Sequence, residues 1–255
     1  MQIILASAKI MNDRAMMPVG ITATTPLFQR EAQSLASDMM QYPAETLAEM
    51  LGCSQAIASQ NRLRYLRFND QHEPLPAILA YHGQAYKHLK AETLDPGTLQ
   101  YAQDHLWVMS FLYGLLRPLD DIRPYRLEGH VELPSAGDGT LFDYWKPRLT
   151  QALIDSVKAD DGVLIHLATE EFQRLVDWQR VKREVRVVQP MFLVRKGDTL
   201  KVQAVWAKTC RGAMARMILQ ERLSVPEDLT AFQYEGYTFS PVSSELDQPC
   251  FIKEN

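Results

Sequence analysis

The spacing of apolar positions changes several times along this chain, and each change predicts an element. Ile3-Ile4-Leu5-Ala6 is a continuous apolar run that ends at Ser7-Ala8-Lys9, the pattern of a short buried strand with a polar exit. A polar stretch marked by prolines follows to about Pro26. From Leu27 to Gln41, Leu27, Ala32, Leu35, Ala36 and Met39 recur at helical spacing, with Thr25-Pro26 as the start. Ala44–Leu51 and Ser54–Phe68 predict two further helices. Ala77–Tyr81 reads as a strand, Pro96–Leu116 as a helix, and Phe142–Val157 as a helix entered from the Gly137–Gly139 turn. Val163–Leu167 is again an apolar run suited to a buried strand. Val185–Val194 and Leu200–Ala207 alternate on either side of Lys196-Gly197-Asp198, which predicts a hairpin. Lys208–Arg222 reads as a helix, and Phe232–Phe239 and Cys250–Lys253 as closing strands. Strands at both ends and in the middle, with helices between, make the expected class α/β: a mixed sheet surrounded by helices. One domain over residues 1–255 is expected, with a helical hairpin excursion at residues 44–68.

Composition narrows the picture. Of 255 residues, 46% are hydrophobic and 23% charged, as in an ordinary soluble protein with a sizeable core. The net charge of -4 hides a division. Residues 174–222 carry 12 Lys/Arg against 4 Asp/Glu, whereas the rest carry 15 against 27. Such a segment suits a polyanion, unless it is a strand face paired with acids elsewhere. Cys53, Cys210 and Cys250 stand far apart, so neither a disulfide framework nor a zinc site is expected. No apolar run approaches membrane-spanning length, and the opening Met1–Ala6 is too short and lacks basic residues for a secretion signal. A cytoplasmic location without a membrane partner is the expectation.

Four features carry candidate chemistry. In Phe111–Glu128, Pro118 and Pro124 fix the backbone and hold Arg117 and Arg126 ready to grip carboxylate or phosphate; an internal ion-pair hub with Asp120, Asp121 and Glu128 is compatible with this. On the helix opening at Lys208, a spacing of about 100° per residue puts Lys208, Gly212 and Arg216 on one stripe with Arg211 beside it. Gly212 there implies a close approach, by a phosphate or by another element, and the helix N-terminus favours anions. The stretch Leu51-Gly52-Cys53-Ser54 between two short helices resembles a helix-hairpin-helix motif. In that motif the glycine lets the turn approach a DNA phosphate, and Ser54 would cap the second helix. Lys9 follows a strand end, a usual place for a functional residue. The histidines, among them His130 and His166, form no metal-ligand spacing, and no nucleophile elbow, P-loop or dinucleotide fingerprint is present. No metal, cofactor or catalytic residue is therefore expected.

Tyr113-Gly114 through Leu116-Arg117-Pro118-Leu119-Asp120, followed by Pro124-Tyr125-Arg126-Leu127-Glu128, resembles the signature of the YaaA family of bacterial peroxide-stress proteins. The resemblance continues at Ala8-Lys9, at Gly83 and Tyr86, at Ala91-Glu92-Thr93, at Phe142 and Trp145, at Leu167-Ala168, from Ala207-Lys208 to Arg216, and at Glu235-Gly236-Tyr237. Members tend to carry Ser-Pro-Ala-Lys where this chain has Ala6-Ser7-Ala8-Lys9, and more often glycine and asparagine at the places of His130 and His166. The resemblance implies a protein of the hydrogen-peroxide response that keeps unincorporated iron low, limits oxidative DNA damage and binds DNA in a basic cleft. The expected phosphate contacts are Lys9, Leu51, Gly52, Ser54, Arg117, Arg126, Lys208, Arg211, Gly212 and Arg216. Lys208, Arg211 and Arg216 are expected to line one cleft with Arg117 or Arg126. The expected partner is duplex or structured DNA, bound by a monomer with weak sequence preference. The alternative is an enzyme acting on a phosphorylated metabolite or nucleotide held by the same cations, with Asp120, Glu128 or Glu171 as acid or base. A deep cavity with a buried carboxylate beside Lys9 and Arg117 favours the enzyme; an open groove of duplex width favours DNA.

Overall fold

The computed structural model describes residues 1–254. The first apolar run is β1 (Gln2–Ala6). It is followed by the helices α1 (Gln29–Gln41), α2 (Ala44–Met50), α3 (Gln55–Leu66), α4 (Ala77–Ala80), α5 (Gln84–Leu89) and α6 (Pro96–His105). The strands β2 (Leu106–Ser110) and β3 (Gly114–Leu116) come next, then α7 (Leu141–Ala159) and β4 (Val163–His166). The short helices α8 (Glu170–Gln173) and α9 (Trp178–Glu184) lead to β5 (Arg186–Val188). The chain closes with β6 (Met191–Lys196), β7 (Thr199–Lys201), α10 (Ala204–Glu221), β8 (Tyr237–Phe239) and β9 (Cys250–Lys253).

Two mixed sheets result, an α/β fold with helices around them. The first has the order β3-β2-β1-β4-β5 and the second β7-β6-β9-β8. β1 is central and parallel to both neighbours: Ala6 lies opposite Met109, and Ile4 opposite His166. β5 is parallel to β4, and only β3 runs the other way. The exits of β1, β2, β4 and β5 therefore lie along one edge. The chain places β2 on one side of β1 and β4 on the other, so the strand order reverses at the exit of β1. Such a reversal opens a crevice at the carboxyl ends of the strands.

Several elements differ from the sequence pattern for identifiable reasons. Ala77–Tyr81 is not a strand; Ala77–Ala80 is a single buried helical turn begun at Pro76, with isolated bridges at Pro76 and Tyr81. Pro96–Leu116 is helical only to His105, because Leu106–Ser110 is a strand buried on both faces. Uniform apolar character cannot distinguish a buried helix from such a strand. β7 ends at Lys201, and α10 begins at Ala204 rather than at Lys208. The predicted strand at Phe232–Phe239 shrinks to Tyr237–Phe239. Gly114, the first residue of β3, sits at φ +69°, where a Cβ would come within 2.8 Å of Trp145 and Leu149, so the turn into β3 needs glycine.

Candidate functional site

The exits of β1 and β4 open onto a cavity of about 390 Å³, walled by the start of α5 and the first turns of α10. Ser7, Ala8 and Lys9 come from the exit of β1, and Leu167, Thr169 and Glu171 follow β4. The proline-held segment after β3 supplies Tyr125, Arg126 and Leu127, while α10 presents Val205, Lys208 and Arg211. Leu5, Phe111 and Phe172 complete an apolar floor, in which the Phe111 and Phe172 rings stack with centroids 4.5 Å apart. Tyr125 is fixed there, its hydroxyl 2.8 Å from that of Tyr81 and 2.6 Å from Ser110 Oγ. The Tyr86 hydroxyl donates to the Ala6 carbonyl at 3.0 Å. Burial pushes the pKa of each of these tyrosines up, so they remain protonated.

The charges are unevenly balanced. Glu128 is buried behind the wall, with one carboxylate oxygen 2.8 Å from Lys9 Nζ and the other 3.1 Å from a terminal nitrogen of Arg126. It orients both cations, while the Lys9 side chain stays 56% exposed at the rim. Lys208 is exposed and Arg211 half-buried. Arg211 has no ion-pair partner among the described residues; burial lowers its pKa, and Glu170 acts only at longer range. A partly desolvated guanidinium facing a cavity has the chemistry to pair with an anion. Behind it His166 is buried against Trp178, centroids 4.8 Å apart, with neither ring nitrogen hydrogen-bonded. Burial first, and the Arg211 charge second, push its pKa down to about 3, so the imidazole is neutral.

Other expected members of the site lie elsewhere. Arg117 sits at the opposite end of the sheet, its guanidinium 3.5 Å from the Trp107 ring centroid, where it donates to Gln2 at 3.1 Å, to the Leu106 carbonyl at 3.3 Å and to Ser156 at 3.2 Å. Asp120 accepts from the Arg117 backbone amide and from Thr24, which is a structural role. Arg216 turns away from the cavity: it donates to the Leu89 and Lys90 carbonyls and to Thr93 Oγ1, closing the C-terminal end of α5. Gly212 is approached by protein, since a Cβ there would lie 1.8 Å from the Ala85 carbonyl oxygen. The stripe therefore divides, Lys208 and Arg211 toward the cavity and Gly212 and Arg216 toward α5. The common cleft expected for Lys208, Arg211 and Arg216 with Arg117 or Arg126 is corrected to Lys208, Arg211, Arg126 and Lys9. The basic segment 174–222 is likewise dispersed: Arg180 pairs with Glu184, Arg186 with Glu227 and Asp247, and Arg195 with Glu254.

The α2–α3 hairpin forms as its residues require. Gly52 has φ +53° with open space around it, Leu51 is buried, and Ser54 Oγ accepts from the Ile57 amide at 3.4 Å. The hairpin rests on the cavity wall. Tyr65 donates to the Arg126 carbonyl at 2.7 Å, and His130 lies 3.0 Å from the Met50 carbonyl. Arg126 and His130 are four residues apart, at most about 14 Å along an extended chain.

Across residues 1–243 the chain matches the family described as peroxide stress protein YaaA. It belongs to that family. It is similar to a UPF0246 protein of Phocaeicola vulgatus, 45% identical over 240 residues and 94% of each chain. A UPF0246 protein of Bacteroides thetaiotaomicron is 42% identical over 253 residues, covering 99% of this chain and 98% of the relative. One from Cereibacter sphaeroides is 36% identical over 239 residues, covering 93% and 92%. Among the described residues of this family member no helix is long and apolar enough to cross a membrane. Among the described residues no group of three His, Cys, Asp or Glu side chains is placed to hold a metal ion.

Sequence reasoning missed part of the site. Ser7 and Thr169 follow the two strand exits that meet in the crevice, and the pairing of β1 with β4 was the signal that would have found them. Tyr125 was noted only within the family signature and Phe172 carried no signal, because their position beside the cavity depends on the whole fold.

Proposed function

We propose that this YaaA-family protein acts in the peroxide response by binding nucleic acid, with one phosphate held at the cavity by Lys9, Arg126, Lys208 and Arg211 and a second at the Gly52 turn. The observation that carries this reading is the convergence of four cations from three separate segments on one cavity, against the buried Glu128 and the rim Glu171. The hairpin that leans on the same Arg126–His130 segment supplies turn amides within reach of a neighbouring phosphate. Contacts of this kind position a strand and read no bases. Keeping unincorporated iron low is the further role that the family resemblance implies. Under this reading it follows indirectly from nucleic-acid binding. The test is a titration with single-stranded, duplex and junction DNA at several salt concentrations. A steep loss of affinity with salt is expected, and salt-independent or absent binding overturns the proposal.

A second reading has its own observation. The cavity is half-open, and a buried carboxylate stands beside Lys9, though with Arg126 rather than Arg117. That arrangement suits an enzyme acting on a phosphorylated metabolite or nucleotide, with Glu171 at the rim as the acid or base and Glu128 orienting the cations. Turnover of a phosphorylated compound, lost in Glu171→Gln with binding retained, would favour it.

A further inference from the structure

The cavity combines two surfaces that one ligand would have to satisfy together. One wall is cationic: Lys208 and Arg211 lie three residues apart on α10 and face the same space, and Arg211 has no protein carboxylate at ion-pair distance among the described residues. The floor is apolar and aromatic, with Phe111 and Phe172 stacked beneath it and Leu127 at the side. Thr169 at the rim adds a hydroxyl able to donate or accept. A volume of about 390 Å³ falls at the small end of the ~300–1,000 Å³ typical of small-ligand sites. It has no room for a duplex, and it exceeds what a bare phosphate needs.

We infer that the cavity is a mononucleotide site, which takes one phosphate on Lys208 and Arg211 and one nucleobase on the Phe111–Phe172–Leu127 floor. This rests on the reading of the cavity as a phosphate site and names the rest of the ligand. A planar ring buries apolar faces against the floor and keeps its polar edge toward Thr169. The phosphate supplies the anion that the half-buried guanidinium lacks. Such a nucleotide has two sources, a free nucleotide or one unpaired residue of a bound strand.

The test uses the full chain and deoxyadenosine 5′-monophosphate, with inorganic phosphate and deoxyadenosine as comparison ligands, followed by isothermal titration calorimetry. The monophosphate is expected to bind at least about tenfold more tightly than either comparison ligand. Arg211→Ala should weaken it about tenfold or more. Val205→Trp, at a rim position that is 62% exposed and tolerant of a larger side chain, should block it while leaving the melting temperature unchanged. Equal binding of monophosphate and inorganic phosphate, or undiminished binding in a folded Val205→Trp protein, would overturn the inference. Competition against a labelled single strand then distinguishes the sources: displacement places a strand nucleotide in the cavity, and independent binding a free one. A protein that binds the monophosphate but no DNA keeps this inference and removes the nucleic-acid reading. One that binds DNA but not the monophosphate does the reverse.

Discussion

Glu128 is the residue on which the charge of the cavity turns. Its carboxylate holds Lys9 and Arg126 in place and cancels part of the charge they would offer a ligand. Stability and affinity should therefore respond to its removal with opposite signs. Glu128→Gln keeps the shape but leaves the Arg126 guanidinium, only 16% exposed, without a full counter-charge; a loss of about 1–3 kcal/mol is expected by urea denaturation. Phosphate affinity should rise, because one negative charge beside the site is gone. Weaker phosphate binding in the folded variant would show that Glu128 serves mainly to position the cations. His166 predicts a pH dependence. In the folded chain it takes a proton only near pH 3, whereas an unfolded histidine does so near 6.5. Between these values the unfolded state binds more protons, so the His166 contribution makes stability fall as pH drops from 6.5 toward 3. At pH 5 this amounts to about 2 kcal/mol. His166→Asn should flatten the stability–pH slope in that window, and an unchanged slope would mean that the imidazole is hydrated and titrates normally.

At the scale of elements, α10 and the α2–α3 hairpin show what the sequence could and could not disclose. The 3.6-residue repeat correctly put Lys208, Arg211, Gly212 and Arg216 near one another on a helix. It carried no information on the partner of each, and α5 claims two of the four. Gly212→Ala should consequently act on folding: a methyl 1.8 Å from a carbonyl oxygen forces α5 and α10 apart, at about 1–3 kcal/mol or more in chemical denaturation. Gly52 is the contrary case. Nothing lies within 4 Å of a Cβ there, so Gly52→Ala and Gly52→Val meet only positive-φ strain, about 1–3 kcal/mol. If the turn amides contact a phosphate, the bulkier valine should reduce DNA affinity beyond any change in melting temperature. Unchanged affinity in both folded variants would make the hairpin an ordinary helical connection. The strands were legible where they end at Ser7 and Gly197, but Val185–Val194, read as one strand, divides at Gln189-Pro190 into β5 of the first sheet and β6 of the second. Leu106–Ser110 was not legible, because a strand covered on both faces has no alternation to reveal it. Arg117 and Arg126 looked equivalent in sequence, held by similar prolines. Only the sheet separates them, one at the entry of the parallel strands beside Gln2 and the other at their exit beside Lys9.

For the whole molecule, the distribution of charge matters more than its sum. The net charge is -4, and Arg180, Arg186 and Arg195 of the basic segment are engaged in ion pairs, so the four cations at the cavity, Lys9, Arg126, Lys208 and Arg211, form the candidate contact for a polyanion. Binding should therefore be weak in general and concentrated at the exit edge of the first sheet. That gives a comparison of variants by position. Each cation in contact with a phosphate releases counterions, so its loss should flatten the dependence of log affinity on log salt by about 0.9 for duplex DNA. Lys208→Ala and Arg211→Ala should each show that change with little loss of stability, since Lys208 is exposed and Arg211 has no ion-pair partner among the described residues. Arg117→Ala and Arg216→Ala should behave in the opposite way. Removing Arg117 strips a cation from Trp107 and three hydrogen bonds from the entry edge, and removing Arg216 uncaps α5. Both should lower the melting temperature and leave the salt slope as it was. A slope that flattens equally in all four would mean that DNA senses only the overall charge. A slope that changes with Arg117 or Arg216 alone would move the contact surface away from the cavity.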